Sequence, residues 1–317
     1  SVINSHNGNS PVKQASQLPG IHAYRMHFIN RIPWGFGMKH FRSAKMALSL
    51  IFLIGFLLVL FSCGGENGGV TSPPATGGEG IITIGGTVVK GPVNGGTVMA
   101  YAINNGTKGE QLATASTDWQ GNFSMMIGAY SGPVMLSMNG GTYLDEATGS
   151  MMTMAPNDVM TSVIPSISSG AEVAGIQMTP LTSMAQAMAA NMSGGMTMSN
   201  SSAANTAMGN YFMVNDILAT PPMNPNVPGS GAGASQDMRN YGMAIAAMME
   251  NAKMLGMTSS SGMVTAMMND ASDGAMNGMM GGSQPITMGG GMSMMGGGTM
   301  MQANMGTSGI ANAMTAF

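Results

Sequence analysis

The side chains able to do chemistry are unevenly distributed along this 317-residue chain. Histidine occurs only at His6, His22, His27 and His40, the one cysteine is Cys63, and 38 of the 41 methionines lie at Met99 or beyond. Past Cys63 the soft ligands are therefore thioethers, and thioether sulfur suits Cu(I). The runs Met151-Met152-Thr153-Met154, Met196-Thr197-Met198, Met292-Ser293-Met294-Met295 and Met300-Met301 each gather two or three sulfurs. Of these, Met292, Met294, Met295, Met300 and Met301 sit among glycines and form the candidate site for Cu(I) or Ag(I). Sacrificial oxidation to sulfoxide and a loosely structured linker are the other readings of that tail. Elsewhere methionine reads as a flexible core filler in place of leucine, above all at Met184, Met188, Met238 and Met248, which recur at helical spacing.

Beyond Cys63 the chain keeps Lys90, Lys108, Arg239 and Lys253 against all thirteen acidic residues, a formal charge of −9. That balance argues against nucleic acid, whose phosphates need clustered Lys and Arg. Without histidine, Ser-His-Asp and Cys-His catalysis and ordinary zinc sites are excluded, and a single cysteine excludes an internal disulfide. Carboxylate or Ser-Lys chemistry is permitted, but no spacing in the sequence points to it. The expectation is a protein that is not an enzyme, with no catalytic residues and no cofactor, Cu(I) being the alternative. Asn269-Asp270-Ala271-Ser272-Asp273-Gly274 has the oxygen-rich look of a calcium loop. Ala271 and Met280, however, stand where ligands belong, so helix-end capping by Asp270 and Asp273 is preferred.

Cys63 closes a segment with its own logic. Lys39, Arg42 and Lys45 precede sixteen largely apolar residues, Met46 to Phe61, and then Ser62-Cys63. A positive region, an apolar region and a small residue before the cleavage point define a secretory signal. The run falls short of the ~20 residues of a membrane span. Leu60-Phe61-Ser62-Cys63 resembles the lipobox of lipid-modified exported proteins, which implies lipidation of Cys63 and a start near Met38. Gly64 at the next position favours the outer membrane as destination, facing the periplasm or the outside. The membrane is then reached through the lipid anchor, and the further partner is an unspecified protein or glycan.

The elements that would position any site follow. Ile81 to Val89, Thr97 to Ile103, Leu112 to Thr117, Asn122 to Ile127 and Pro133 to Met138 read as strands separated by glycine-rich turns, Asn104-Asn105-Gly106 among them. Such dense short strands indicate an antiparallel sandwich. Gly86-Thr-Val-Val-Lys-Gly-Pro-Val-Asn-Gly-Gly-Thr-Val-Met-Ala-Tyr101 with Ala115-Ser-Thr-Asp-Trp-Gln-Gly-Asn-Phe123 resembles the carboxypeptidase-regulatory-like (transthyretin-like) β-sandwich. The resemblance implies a non-catalytic domain in which Asp118 and Gly121 form a turn and Phe123 enters the core.

Ile164 to Ser169 and Ile176 to Thr179 read as last strands or connections. Thr179-Pro180 then offers an N-cap and a first helical position. Helices are expected from there, over Ala203 to Phe212, and over Gln236 to Leu255, with a Pro- and Gly-rich loop at Pro221 to Ser235. The order of these features resembles a group of Gram-negative surface lipoproteins that carry a sandwich followed by helices. The expected fold is α+β, β then α. Its divisions are an upstream segment at 1–37, the signal at 38–62, a tether at 63–80, the sandwich at 81–160, a helical module at 161–275 and a Met/Gly-rich tail at 276–317.

Overall fold

The computed structural model describes residues 80–257, 259–288 and 299–300. The order is β then α, as expected. Nine strands come first: β1 Ile82–Val88, β2 Thr97–Asn104, β3 Thr107–Ser116, β4 Asn122–Ile127, β5 Gly132–Asn139, β6 Thr142–Leu144, β7 Met151–Thr153, β8 Val159–Ile167 and β9 Glu172–Met178. The helices are α1 Pro180–Asn191, α2 Met198–Phe212, α3 Gln236–Met254 and α4 Ser261–Ala271. The two-residue strands β10 Met279–Met280, β11 Gln284–Pro285, β12 Thr287–Met288 and β13 Thr299–Met300 follow.

Two sheets carry the β part, one ordered β4-β1-β9 and the other β3-β2-β5-β8, with β6 and β7 as a separate hairpin. Alternation decides what each strand buries. In β4, Phe123, Met125 and Ile127 turn inward while Asn122, Ser124 and Met126 face out. In β5 the run Val134 to Met138 is wholly buried, which marks a strand covered on both faces. All pairings within these sheets are antiparallel except one: β9 runs parallel to β1. The chain changes sheets there through the turn closed by the Ala171 N–H to Ser168 carbonyl bond of 3.1 Å. The two unassigned segments are thus both strands, and the expected division at 160 falls inside β8. The core is also one continuous cluster, running from Ile82 through Leu181, Tyr241 and Met263 to Ile286, where the length allowed two.

The helices cover β8, the edge of the larger sheet. An exposed edge strand leaves N–H and C=O groups unpaired. Here the Ser183 hydroxyl accepts from the Thr161 N–H at 2.9 Å, and the Thr182 hydroxyl donates to the Thr161 carbonyl at 2.9 Å. Both come from the first turn of α1, whose Thr179 and Thr182 form a reciprocal capping box with Pro180 behind it. Tyr241 of α3 is fully buried and ties this corner together. Its hydroxyl lies 2.6 Å from that of Thr179 and donates to the Ile217 carbonyl at 2.9 Å.

The methionine reading holds for Met184 and Met248, which are fully buried; Met188 and Met238 are half-buried. α3 departs from its predicted face. Every residue from Ala244 to Met249 is buried, and so is Asn251, because the helix lies inside the helical layer. Gly242 has a packing role there: a Cβ at this position would stand 2.0 Å from the Met223 carbonyl oxygen.

Candidate functional site

The sequence suggested a helix end at Asp270 and Asp273 but gave no limits for the helix before it, and that helix, α4, organises the chemistry. The turn after β1 carries Lys90, which is fully buried. Its Nζ donates to the Ser260 hydroxyl at 2.6 Å, lies 3.7 Å from Asp145 Oδ2 and sits 3.7 Å from the centre of the Tyr143 ring. Ser260 in turn donates to Asp145 Oδ2 and lies 3.1 Å from the Tyr143 hydroxyl. Four residues from three distant stretches of the sequence thus meet: the β1 turn supplies Lys90, the β6–β7 hairpin Tyr143 and Asp145, and the start of α4 Ser260.

The other oxygen of Asp145 is equally engaged. Oδ1 accepts from the N–H groups of Ala147 and Thr148 at 3.2 and 3.0 Å and from the Thr148 hydroxyl at 3.0 Å. Beside it, Glu146 Oε1 accepts from the Gly91 N–H, while Oε2 is buried without a partner. Burial pushes the Glu146 carboxyl above the usual range, outweighing the opposing pull of the Lys90 charge. A cavity of about 10 Å³ bordered by Gly91, Glu146 and Met223 has room for roughly one water.

A second carboxylate fastens the same helix end. Asp158 accepts from the hydroxyls of Ser261 and, at 3.0 Å, Thr265. Ser260 stands at the N-cap position but makes no side-chain bond to the first turn, because its hydroxyl is spent on Lys90 and Asp145.

The opposite end of α4 opens to solvent. A cleft of about 660 Å³ is bordered by Met188 and Met192 after the middle of α1, Met268 and Asn269 of α4, and Asp273 and Met280 beyond it. Asn191, Ser272 and Gly274 complete much of the rest, and among the described residues no Lys, Arg or aromatic residue lines it. Asp273 and Asp270 do not present a calcium site. Asp270 Oδ1 accepts from the N–H groups of Asn277 and Gly278 at 2.9 and 2.6 Å, and Asp273 accepts from those of Ala275 and Gly282 at 2.9 and 2.6 Å. Both carboxylates fold the segment after the helix by accepting from its N–H groups, which is a different role from capping the helix end. Among the described residues no group of three or more His, Cys, Asp or Glu could hold a metal ion.

Of the residues singled out in sequence, Cys63, Met292, Met294, Met295 and Met301 lie outside the described residues; of Met300 only the backbone, paired with Thr287, is described. Asp118 and Gly121 do form a turn. Asp118 Oδ1 accepts from the N–H groups of Gln120 and Asn122, both at 2.8 Å, and Gly121 has φ +82°. The Asn122 N–H, foremost, holds the Asp118 carboxyl below its usual range. Phe123 is buried and Trp119, at the tip of the turn, is exposed.

No protein-family description matches the chain, and no curated protein matches it. Among solved structures, a DUF3823 family protein from Parabacteroides merdae is similar over 32% of this chain and 46% of its own length, with 10% identity and a TM-score of 0.19. The chain therefore spans less than half the length of that protein.

Proposed function

We propose that this is a lipid-anchored, non-enzymatic protein of the cell envelope, a carboxypeptidase-regulatory-like sandwich followed by helices, that acts as a surface binding or structural module. The observation that supports the non-enzymatic reading is the burial of the Lys90, Asp145 and Ser260 constellation: this arrangement of a potential nucleophile beside an amine, found among the described residues, gives a diffusing substrate no surface to reach. The exposed cleft at the other end of α4 contributes thioethers, amides and a carboxylate, which suit binding. Cys63 would carry the acyl chains. One chain binds membranes only marginally, so stable attachment to the outer membrane requires more than one. Fractionating cells that express the wild type or Cys63→Ser tests the anchor: the wild type is expected with membranes and the variant in the soluble fraction. Equal partition of the two rejects it.

The second reading, capture of Cu(I) or Ag(I), is favoured by the four methionines around the cleft in addition to those of the tail. An anaerobic Cu(I) competition titration separates the two sets. Loss of stoichiometric binding on converting Met188, Met192, Met268 and Met280 to Leu assigns the cleft. Loss only on converting Met292, Met294, Met295, Met300 and Met301 assigns the tail. Weak, unsaturable binding in every form rejects the metal and leaves a protein or glycan partner.

A further inference from the structure

We propose that Lys90 and Asp145 condense with each other, forming an intramolecular amide between the β1 turn and the β6–β7 hairpin and releasing one water. The parts of an acyl transfer are present in one closed site. The nucleophile is Lys90 Nζ, 3.7 Å from Asp145 Oδ2, with side-chain exposures of 0% and 1%. The bond to be made is Nζ–Cγ and needs its two atoms at about 3–3.5 Å. The amine, 3.7 Å from Oδ2, therefore has to move past the Ser260 hydroxyl toward Cγ before it attacks; fixed neighbours of this kind replace a bimolecular encounter. Ser260 bridges the two groups, accepting from Nζ at 2.6 Å and donating to Oδ2. Asp145 Oδ1 faces the N–H groups of Ala147 and Thr148 and the Thr148 hydroxyl, all within 3.2 Å. Donors so placed stabilise the oxyanion of a tetrahedral intermediate.

The step balances without any co-reactant. The ammonium passes one proton through the Ser260 hydroxyl to Oδ2, leaving a neutral amine and a carboxylic acid. The nitrogen lone pair adds to Cγ, and negative charge collects on Oδ1 among its three donors. The Cγ–Oδ2 bond then breaks, and the departing hydroxide takes the second proton lost by nitrogen, so that one N–C bond replaces one C–O bond. Glu146, next in the chain to Asp145 and bound through Oε1 to the Gly91 N–H beside Lys90, is a further carboxyl available for relaying that proton. The small cavity beside it can take the product water.

The driving force lies in burial. In bulk water an ammonium and a carboxylate are better solvated than the amide they would form. In this site both charges have lost their water, and replacing a buried ion pair by a neutral group removes that desolvation penalty.

The test is peptide mapping by mass spectrometry of the purified full chain after proteolysis. The wild type is expected to yield a branched peptide joining the Lys90 and Asp145 segments, lighter by one water than the two together. Lys90→Arg and Asp145→Ala should yield linear peptides only. Asp145→Asn should give the same branched product with loss of ammonia, and Thr148→Val should lower the linked fraction at least severalfold. Recovery of the two wild-type segments as linear peptides of unmodified mass overturns the proposal, whatever the variants do. A water loss confined to a linear Asp145 peptide, as in a cyclic imide, overturns it too.

Discussion

The two ends of α4 are built on opposite terms. At its start, Ser260 and Ser261 enter a buried site in which Lys90, Asp145, Tyr143 and Asp158 converge from three other elements. At its finish, Met268, Asn269 and Ser272 border an open cleft, and the neighbouring carboxylates of Asp270 and Asp273 serve backbone N–H groups. The first end uses polar groups to fix the helix against the sandwich; the second leaves thioethers and amides at a surface. A charge that is buried must be paired, whereas a side chain at a cleft is free to meet a ligand.

Breaking the buried end should have the largest effect. Lys90→Met removes the link to Asp145, whether ion pair or amide, and leaves that carboxylate buried alone; the expected cost is at least about 3–5 kcal/mol, the range for removing one partner of a buried ion pair. The shift of the urea midpoint would measure it, and a loss below about 1 kcal/mol would mean that the pair contributes no more than a surface one. Ser260→Ala should cost less, about 1–3 kcal/mol, since it strips a hydroxyl from two charged groups but leaves them paired. Conversion of Met188, Met192, Met268 and Met280 to Leu should cost below about 1.5 kcal/mol per position, yet it alters whatever binds the cleft. If this set unfolds the protein as Lys90→Met does, the contrast between the two ends fails.

The smallest effect should appear as a pH slope. Burial raises the carboxyls of both Glu146 and Asp270, which also faces the charge of Asp273. A folded-state value above the unfolded one means that the folded protein holds the proton more tightly. Stability from these groups is therefore complete below the ordinary carboxylate range and declines as pH rises toward the folded values. Glu146→Gln and Asp270→Asn should each flatten that decline, Glu146→Gln the more because Asp270 keeps two N–H donors on its charged form. Equal slopes in wild type and variants would show that neither proton is held.

The β part was largely legible. Strands β1, β2, β4 and β5 follow the predicted limits within a residue or so, since alternation and glycine turns are local properties. So were the Thr179 cap, the Asp118 turn and the limits of α3. The small β6–β7 hairpin and α4 were not. Asp145 folds its own hairpin by bonding residues two and three ahead, but its partner Lys90 lies 55 residues back and Ser260 lies 115 ahead. No spacing rule spans such gaps. The permitted but unlocated Ser-Lys pairing was there in composition and waited on topology to be placed.

By itself, then, the sequence determined the order β then α, the alternation that gives each strand its inner face, the absence of histidine chemistry past Cys63 and the methionine-rich core. These depend on neighbours a few residues apart or on simple counts. Only the tertiary structure decided that β9 joins β1 in parallel, that α1 closes the edge at Thr161, and that one lysine, one aspartate and one serine share a buried site. The physical reason is range: hydrogen bonds and desolvation act over a few ångströms, and only the completed packing brings residues so far apart in the chain within that distance.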